Sequence, residues 1–387
     1  MPAVPDVIMF LASMAGQVIS PFVPLYAQNL GLTTGTIGLL VGAGGVTALG
    51  ASLLAGSLLG SVGPRRLVLV GAAVTAGGLG LLGLRPSVTV LVVALPIVAA
   101  MGAIMTISVQ TLVFMRADPD RADHAVGMHA FYASLGLVLG PLMGAAVVRA
   151  TGSLDLVFLV SAIVIGLGLL VALAGPERGV VETSPPQPYL TDIMGLSHQA
   201  RLAVVTVLIA EFTYVAWATF YPLALRGAGR SPEFIGLVFS IQGVVISAVR
   251  PALAALVARL SRPGVLAAAF LINAGGLLAA AVPRSSPLTL VCAVLTGLGI
   301  GLIFPITMLL VSEGATGNRV GRMLSARFVT MMLGQVLGPS ATGLVAGWSI
   351  VGALGGVAGV SALTGLSVLS SARRRAFLDT RKSAMLP

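Results

Sequence analysis

One acidic residue stands inside an otherwise apolar run. Glu211 follows L-A-V-V-T-V-L-I-A, residues 202–210, so it lies about ten residues, or about 15 Å along a helix, from the start of that run. A carboxyl group at such depth is costly to keep and can carry a proton or face a cation. The alternative is a carboxyl that stays protonated and hydrogen-bonds to a neighbouring segment. Tyr214, Trp217 and Tyr221 follow at steps of three and four residues. On a helix these three fall within about 60° of one another, with Glu211 beside them. An acid next to an aromatic stripe can hold a cationic or amphipathic ligand by charge and cation–π attraction.

Other chemistries lack their residues. The chain has no H-E-x-x-H, no G-x-S-x-G and no paired aspartates in its apolar runs, and it holds only three histidines. Cys292 is alone, which excludes an intramolecular disulfide and a cysteine-based metal site. A G-x-x-x-x-G-K loop is also missing, so ATP is not the expected energy source. We expect no cofactor, no metal and no enzymatic activity.

The elements that hold Glu211 follow from composition. The chain is 57% hydrophobic and 9% charged, with a mean hydropathy of +1.04. Its apolar runs are about 20 residues long, enough to cross a ~30 Å hydrocarbon layer. The predicted fold class is therefore an all-α membrane protein of twelve transmembrane helices. The first six spans are 6–28, 34–60, 67–84, 88–114, 127–148 and 154–174. The second six are 202–225, 233–257, 264–282, 287–311, 323–346 and 348–370. This gives an N-terminal bundle at 1–174, a cytoplasmic linker at 175–201, a C-terminal bundle at 202–370 and a basic tail at 371–387. The N-terminus, MPAVPD, has no basic stretch before the first run, so that run reads as a retained span.

The net charge of +10 is scattered over short loops and does not indicate a nucleic-acid partner. With the N-terminus inside, fifteen Arg and Lys fall in loops and tail on that side and five on the other. Both termini are thus expected in the cytoplasm, in the cell (inner) membrane.

The chain also repeats itself. F-V-P-L-Y-A-Q-N-L-G-L-T-T-G-T-I-G-L-L begins at Phe22, and F-Y-P-L-A-L-R-G-A-G-R-S-P-E-F-I-G-L-V begins at Phe220. The offset, 220 − 22 = 198, also carries Gly136, Gly140 and Pro141 onto Gly334, Gly338 and Pro339. Six spans return the chain to the side where it began, so the two units share one orientation, related by an axis along the membrane normal.

Twelve spans, a parallel six-plus-six repeat and a central linker resemble the major facilitator superfamily over essentially the whole chain. The loop G-S-L-L-G-S-V-G-P-R-R resembles the family's G-x-L-x-D-R-x-G-R-R, keeping Gly56, Leu58, Gly63, Arg65 and Arg66. Gly60 and Ser61 stand where the family has Asp-Arg, and in the second copy, which keeps Arg250, Arg259 and Arg262, Ala258 stands where it has Asp. The charge latch that this Asp provides in the family is thus missing from both halves. In span five, Gly136-x-x-x-Gly140-Pro141-x-x-Gly144 resembles the motif of the drug/proton antiporter branch. Gly136 and Gly140 share a helix face and let another helix approach, while Pro141 cannot donate to the Leu137 carbonyl, which favours a bend. The related Gly334, Gly338 and Pro339 in span eleven suggest a shared architectural role.

The resemblance implies that spans one, four, seven and ten line a cavity. Met14 and Gln17 lie on one stripe of span one with Phe10, Pro21 and Gln28, and Thr106 and Gln110 lie one turn apart in span four. Gln17, Thr106 and Gln110 are each either substrate contacts or interhelical hydrogen bonds. Met14, Tyr214 and Trp217 join the substrate set, with an interface-anchor role open for Trp217 and favoured for Tyr221. Span four lacks the intramembrane Arg common in proton-coupled relatives. Arg250 and Arg327 read as gate or anchor residues, together with Arg65, Arg66 and Arg259. His129, the repeat partner of Arg327, reads as a capped helix-end histidine, and Asp6 as an interface residue. The leading function is proton-coupled export of a small amphipathic or drug-like molecule by a monomer, with protons and the bilayer as its other partners. An uptake symporter or facilitator for a metabolite is the alternative, and a membrane-embedded enzyme or sensor a more distant one.

Overall fold

The computed structural model describes residues 4–116, 122–174, 198–282, 285–312 and 318–383. Among them are twelve helices long and apolar enough to cross a membrane. Spans one to six run Val4–Asn29, Thr34–Val62, Pro64–Leu84, Val88–Val113, Met128–Thr151 and Asp155–Ala174. Spans seven to twelve run Gln199–Gly227, Pro232–Leu260, Arg262–Ala280, Ser286–Val311, Ala326–Ala346 and Ile350–Arg374. No strand occurs among the described residues. Large apolar side chains stay exposed on the outer surface, Leu84, Ile163, Leu344 and Leu363 among them, as suits a surface solvated by lipid.

Four features differ from the sequence expectation. Most of the predicted linker lies outside the described residues, and its last four, 198–201, already belong to the helix His198–Gly227. Span eight is broken by a tight turn, Arg250–Ala252, because Pro251 has no N–H for the helical ladder. The last helix runs Ile350–Ser383, through most of the predicted tail, since residues 371–383 hold neither Gly nor Pro to stop it. Span one is likewise two helices, Val4–Ile19 and Val23–Asn29, divided near Pro21.

The repeat is visible in the backbone. Gly31 and Gly229 are repeat partners, and both take the left-handed conformation, with φ of 88° and 77°. Two residues on, Thr33 and Ser231 each cap the next span by accepting a hydrogen bond from the backbone N–H of Thr36 or Phe234 at 3.3 Å. One loop is thus built twice.

Glycine sets how the spans meet. Within the first half, span five packs along span one: a Cβ on Gly136 would lie 2.6 Å from the Met14 nitrogen, and one on Gly140 would lie 2.5 Å from the Gln17 Cβ. Gly144 approaches Val18 and Phe22 in the same way. Span eleven packs along span seven through Gly334 on Leu208 and Glu211 and Gly338 on Phe212. Two further pairs join the halves, span two with span eleven and span five with span eight. There Gly38 sits against the Pro339 carbonyl, and its repeat partner Gly236 sits 2.6 Å (Cβ position) from the Pro141 carbonyl. Gly45 and Gly243, also repeat partners, rest on Gln335–Val336 and Leu137–Val138. These contacts lie toward the membrane face opposite the termini. Leu137 O is the acceptor that Pro141 leaves without a helical donor, so the prolines of both motif copies serve the seam between the halves.

Candidate functional site

A cavity of about 390 Å³ lies between the two halves. Span one contributes Gly16, Gln17 and Ser20, span two Val41, Gly44 and Gly45, and span four Val98 and Ala99. Span seven contributes Glu211, Tyr214, Val215, Ala218 and Thr219, and span eleven contributes Gln335. Glu211 is 9% exposed. Its carboxyl accepts no hydrogen bond among the described residues, and the side-chain amides of Gln17 and Gln335 make none either. An acid and two amides thus share one cavity without hydrogen bonds to the described residues, a convergence of polar groups of the kind that ligand sites use.

Arg327 is the charge nearest in kind. It interacts electrostatically with Glu211, but its guanidinium is tied to span ten. Nη2 donates to the Phe304 carbonyl at 2.9 Å and to Thr307 Oγ1 at 3.0 Å, and Nε donates to Thr307 Oγ1 at 3.2 Å. It therefore points into the second bundle and does not snorkel to a membrane edge. Its repeat partner His129 places Nδ1 3.6 Å from Asp6 Oδ1. Asp6 is 8% exposed, so it is buried against span five and does not sit in an open interface.

The aromatic stripe divides. Tyr214 lines the cavity, whereas Trp217 is 1% exposed and stacks on Phe239 with ring centroids 4.6 Å apart. Tyr221 is fully buried with its ring 5.5 Å from that of Trp217, so it is no interface anchor. The reason is helical drift. Each step of three residues rotates about 60° backwards, so Trp217 lies about 120° from Glu211, while Val215 and Ala218 stay within about 40°.

Of the other expected contacts, Gln17 meets Glu211 in the cavity. Met14 is buried against Gly136 and lies outside the lining. Thr106 lines a second cavity of about 290 Å³ between spans one, three, four and six, and its hydroxyl donates to the Gly102 carbonyl at 2.8 Å. Gln110, one turn further, is exposed and borders neither cavity. Among the arginines, Arg250 reaches across the halves, its Nη1 donating to Ser134 Oγ at 3.0 Å. Arg65 closes the end of span six by donating to the Leu173 carbonyl at 2.9 Å, a contact inside the first half. Arg66 and Arg259 are exposed. Gln335 was missed by sequence reasoning. Its signal is the repeat itself, which puts a polar Gln where the first half has Leu137.

Comparison with known proteins agrees with this architecture. The profile described as Major Facilitator Superfamily matches residues 7–229 and again 202–384. The chain belongs to the major facilitator superfamily. It is a multi-pass membrane transporter of small molecules and not an enzyme. Among superfamily members, a protein named Multidrug resistance protein MdtG, from Citrobacter koseri, is 24% identical over 343 residues, covering 85% of this chain and 84% of the relative. Solved structures share the fold. A mutant form of the nucleoside transporter NupG superposes with a TM-score of 0.82 at 13% identity, covering 95% of this chain and 98% of that one. A POT family transporter in complex with a thioalcohol conjugated peptide does so with a TM-score of 0.80 at 14% identity, covering 96% of each chain.

Proposed function

We propose that this transporter exports a small amphipathic cation in exchange for protons, by alternating access in the cell membrane, as a monomer with both termini in the cytoplasm. The observation that carries this reading is Glu211, a carboxyl group without a hydrogen-bond partner among the described residues, in the cavity between the halves. It can hold a proton or a ligand's positive charge, and one site that accepts either but not both is the simplest coupling of the two fluxes. Gln17 and Gln335 supply hydrogen bonds, and Tyr214 an aromatic face for the cation. The relative named a multidrug resistance protein supports the outward direction and a drug-like substrate. With the termini inside, the glycine seam closes the outer face, so the cavity belongs to a state that exchanges with the cytoplasm.

The test uses everted vesicles with an acid interior, monitored by a pH-sensitive dye while cationic, neutral and anionic amphipathic compounds are added singly. A cationic compound is expected to release protons from the wild type and none from Glu211→Gln, at equal insertion in the membrane. Proton release unchanged in Glu211→Gln would remove this residue from coupling. If no compound in the panel moves protons, a facilitator on the same fold becomes the better reading.

A further inference from the structure

The two halves descend from one unit, so each place in the first has a counterpart in the second, and the places where the counterparts differ in size are informative. Close contacts confirm the register: Gly78 meets Val98 in the first half, and their partners Gly276 and Thr296 meet in the second. In the second half, the matching places carry larger side chains. Tyr214 and Ile300 stand there in one apolar cluster, and Asn273 donates through Nδ2 to Ser361 Oγ at 3.1 Å and to Thr213 Oγ1 at 3.4 Å. In the first half the corresponding residues are Gly16, Gly102 and Thr75. A Cβ added at Gly16 or at Gly102 would meet nothing within 4 Å. Thr75 is 6% exposed, and its hydroxyl has no hydrogen-bond partner among the described residues. The result is the cavity of about 290 Å³, whose lining includes Met9, Leu79, Met105 and Ile165; the Ser13 and Thr106 hydroxyls there donate to backbone carbonyls, which leaves Thr75 as the hydroxyl without a partner. It shares Gly16, Gln17, Ile19 and Val98 with the central cavity, so the two adjoin.

We infer that this side cavity is a second subsite of the substrate site, which takes an aromatic arm whose tip hydrogen-bonds to Thr75 while the cationic centre of the same molecule stays at Glu211. The inference rests on the reading of Glu211 as the cation's partner. Three observations fit it. An apolar cavity of about 150 Å³ admits a benzene ring, so a cavity nearly twice that size has room for two fused rings. Two methionines offer flexible, polarisable walls that favour aromatic guests. A buried hydroxyl without a partner is costly unless something meets it. The substrate class is thereby narrowed to cations with a flat, two-ring arm bearing a donor or acceptor at its far end.

Two probes test this on the purified full chain, naphthylmethyl-trimethylammonium and its hydroxynaphthyl analogue, with their binding read from naphthyl fluorescence and that of tetramethylammonium, the control, from calorimetry. Gly102→Ile, which copies the second half into the first, is expected to weaken both by about tenfold or more and to leave tetramethylammonium binding unchanged. Thr75→Val is expected to weaken only the hydroxynaphthyl probe, by about fivefold, the worth of one hydrogen bond. Unchanged binding of both probes in Gly102→Ile would overturn the subsite even if Glu211→Gln abolished binding. Loss in Gly102→Ile with retention in Glu211→Gln would keep the subsite and remove the acid's role. A ligand-independent measurement covers the case of no binding to the wild type. In a Cys292→Ala background, Thr75→Cys is expected to react with naphthylmaleimide, at least about tenfold more slowly once Gly102→Ile is added. Absence of labelling in Thr75→Cys would overturn the inference.

Discussion

At the scale of single residues, position within the repeat decides what a side chain does. Gly63 and Ser261 are repeat partners that begin spans three and nine, and both hold a backbone conformation suited to glycine, with φ of 87° and 62°. In the second half a side chain occupies that conformation at a cost of about 1–3 kcal/mol. Ser261 recovers part of it by accepting a hydrogen bond from the Gly264 N–H at 3.4 Å, a cap whose replacement by glycine costs only a few tenths of a kcal/mol. Ser261→Gly is therefore expected to stabilise the protein by about 1 kcal/mol, read as a rise in the thermal unfolding midpoint in detergent. Trp217 shows the opposite case. Fully buried and stacked on Phe239, it is a packing residue. Trp217→Ala is expected to cost about 3–5 kcal/mol, falling on every measure of folding before any change in substrate preference. Glu211 was legible in the sequence as a candidate because a carboxyl in an apolar run is costly to keep, whether its role is functional or a hydrogen bond to a neighbouring span. Gln335 was not, because an amide inside a glycine-rich packing motif looks like part of the motif, and only the aligned repeat shows that its partner is Leu137.

At the scale of elements, the glycine stripes do two jobs that the sequence presents as one. Gly136, Gly140 and Gly144 join span five to span one within a half, whereas Gly38, Gly45, Gly236 and Gly243 join spans across the halves. The first kind maintains the fold. In Gly140→Ala the new methyl would stand 2.5 Å from the Gln17 Cβ and 2.8 Å from the Met14 carbonyl, and backbone cannot yield cheaply. We expect a loss of about 1–3 kcal/mol in stability, measured as a lower unfolding midpoint, with the balance between transport states unaffected. The spans themselves were legible because lipid demands about twenty apolar residues of any helix that crosses it, a requirement written in composition. Their interruptions were less so. Pro251 tightens span eight into a turn and Pro141 leaves span five helical; Pro251 is exposed whereas Pro141 is buried against Gly236, a difference that only the packed structure reveals. The same holds for the stripe of Tyr214 and Trp217, where a three-residue step that looks periodic turns the second ring away from the cavity.

At the scale of the whole molecule, the missing acidic latches and the glycine seam bear on the same equilibrium. The arginines that would meet those latches are otherwise engaged or exposed. Arg65 caps span six, and Arg259 faces solvent. On the termini side, Arg250 donates to Ser134 across the halves through one side-chain hydrogen bond among the described residues, while the opposite face is held by backbone in close contact at two symmetry-related seats. Arg226 adds to that face by donating from span seven to the Leu25 carbonyl of span one at 3.3 Å. Closure there depends on shape, so a change in bulk should shift the state without unfolding the protein. Gly236→Leu inserts a side chain against the Pro141 carbonyl and the Ala145 Cβ, both on the other half. The contact can be relieved by separating the halves at that face, the movement of spans seven to twelve against spans one to six that the proposed alternating access requires. With Cys292→Ala, a cysteine at Val41, in the central cavity, reports the state. In a cell, a membrane-impermeant maleimide added from outside is expected to label Val41→Cys slowly in the parent and at least about tenfold faster with Gly236→Leu, a shift of about 1.4 kcal/mol in the equilibrium between states. Equal labelling with and without Gly236→Leu would mean that the seam is not what holds the outer face shut, and faster labelling from the inside would reverse the proposed orientation.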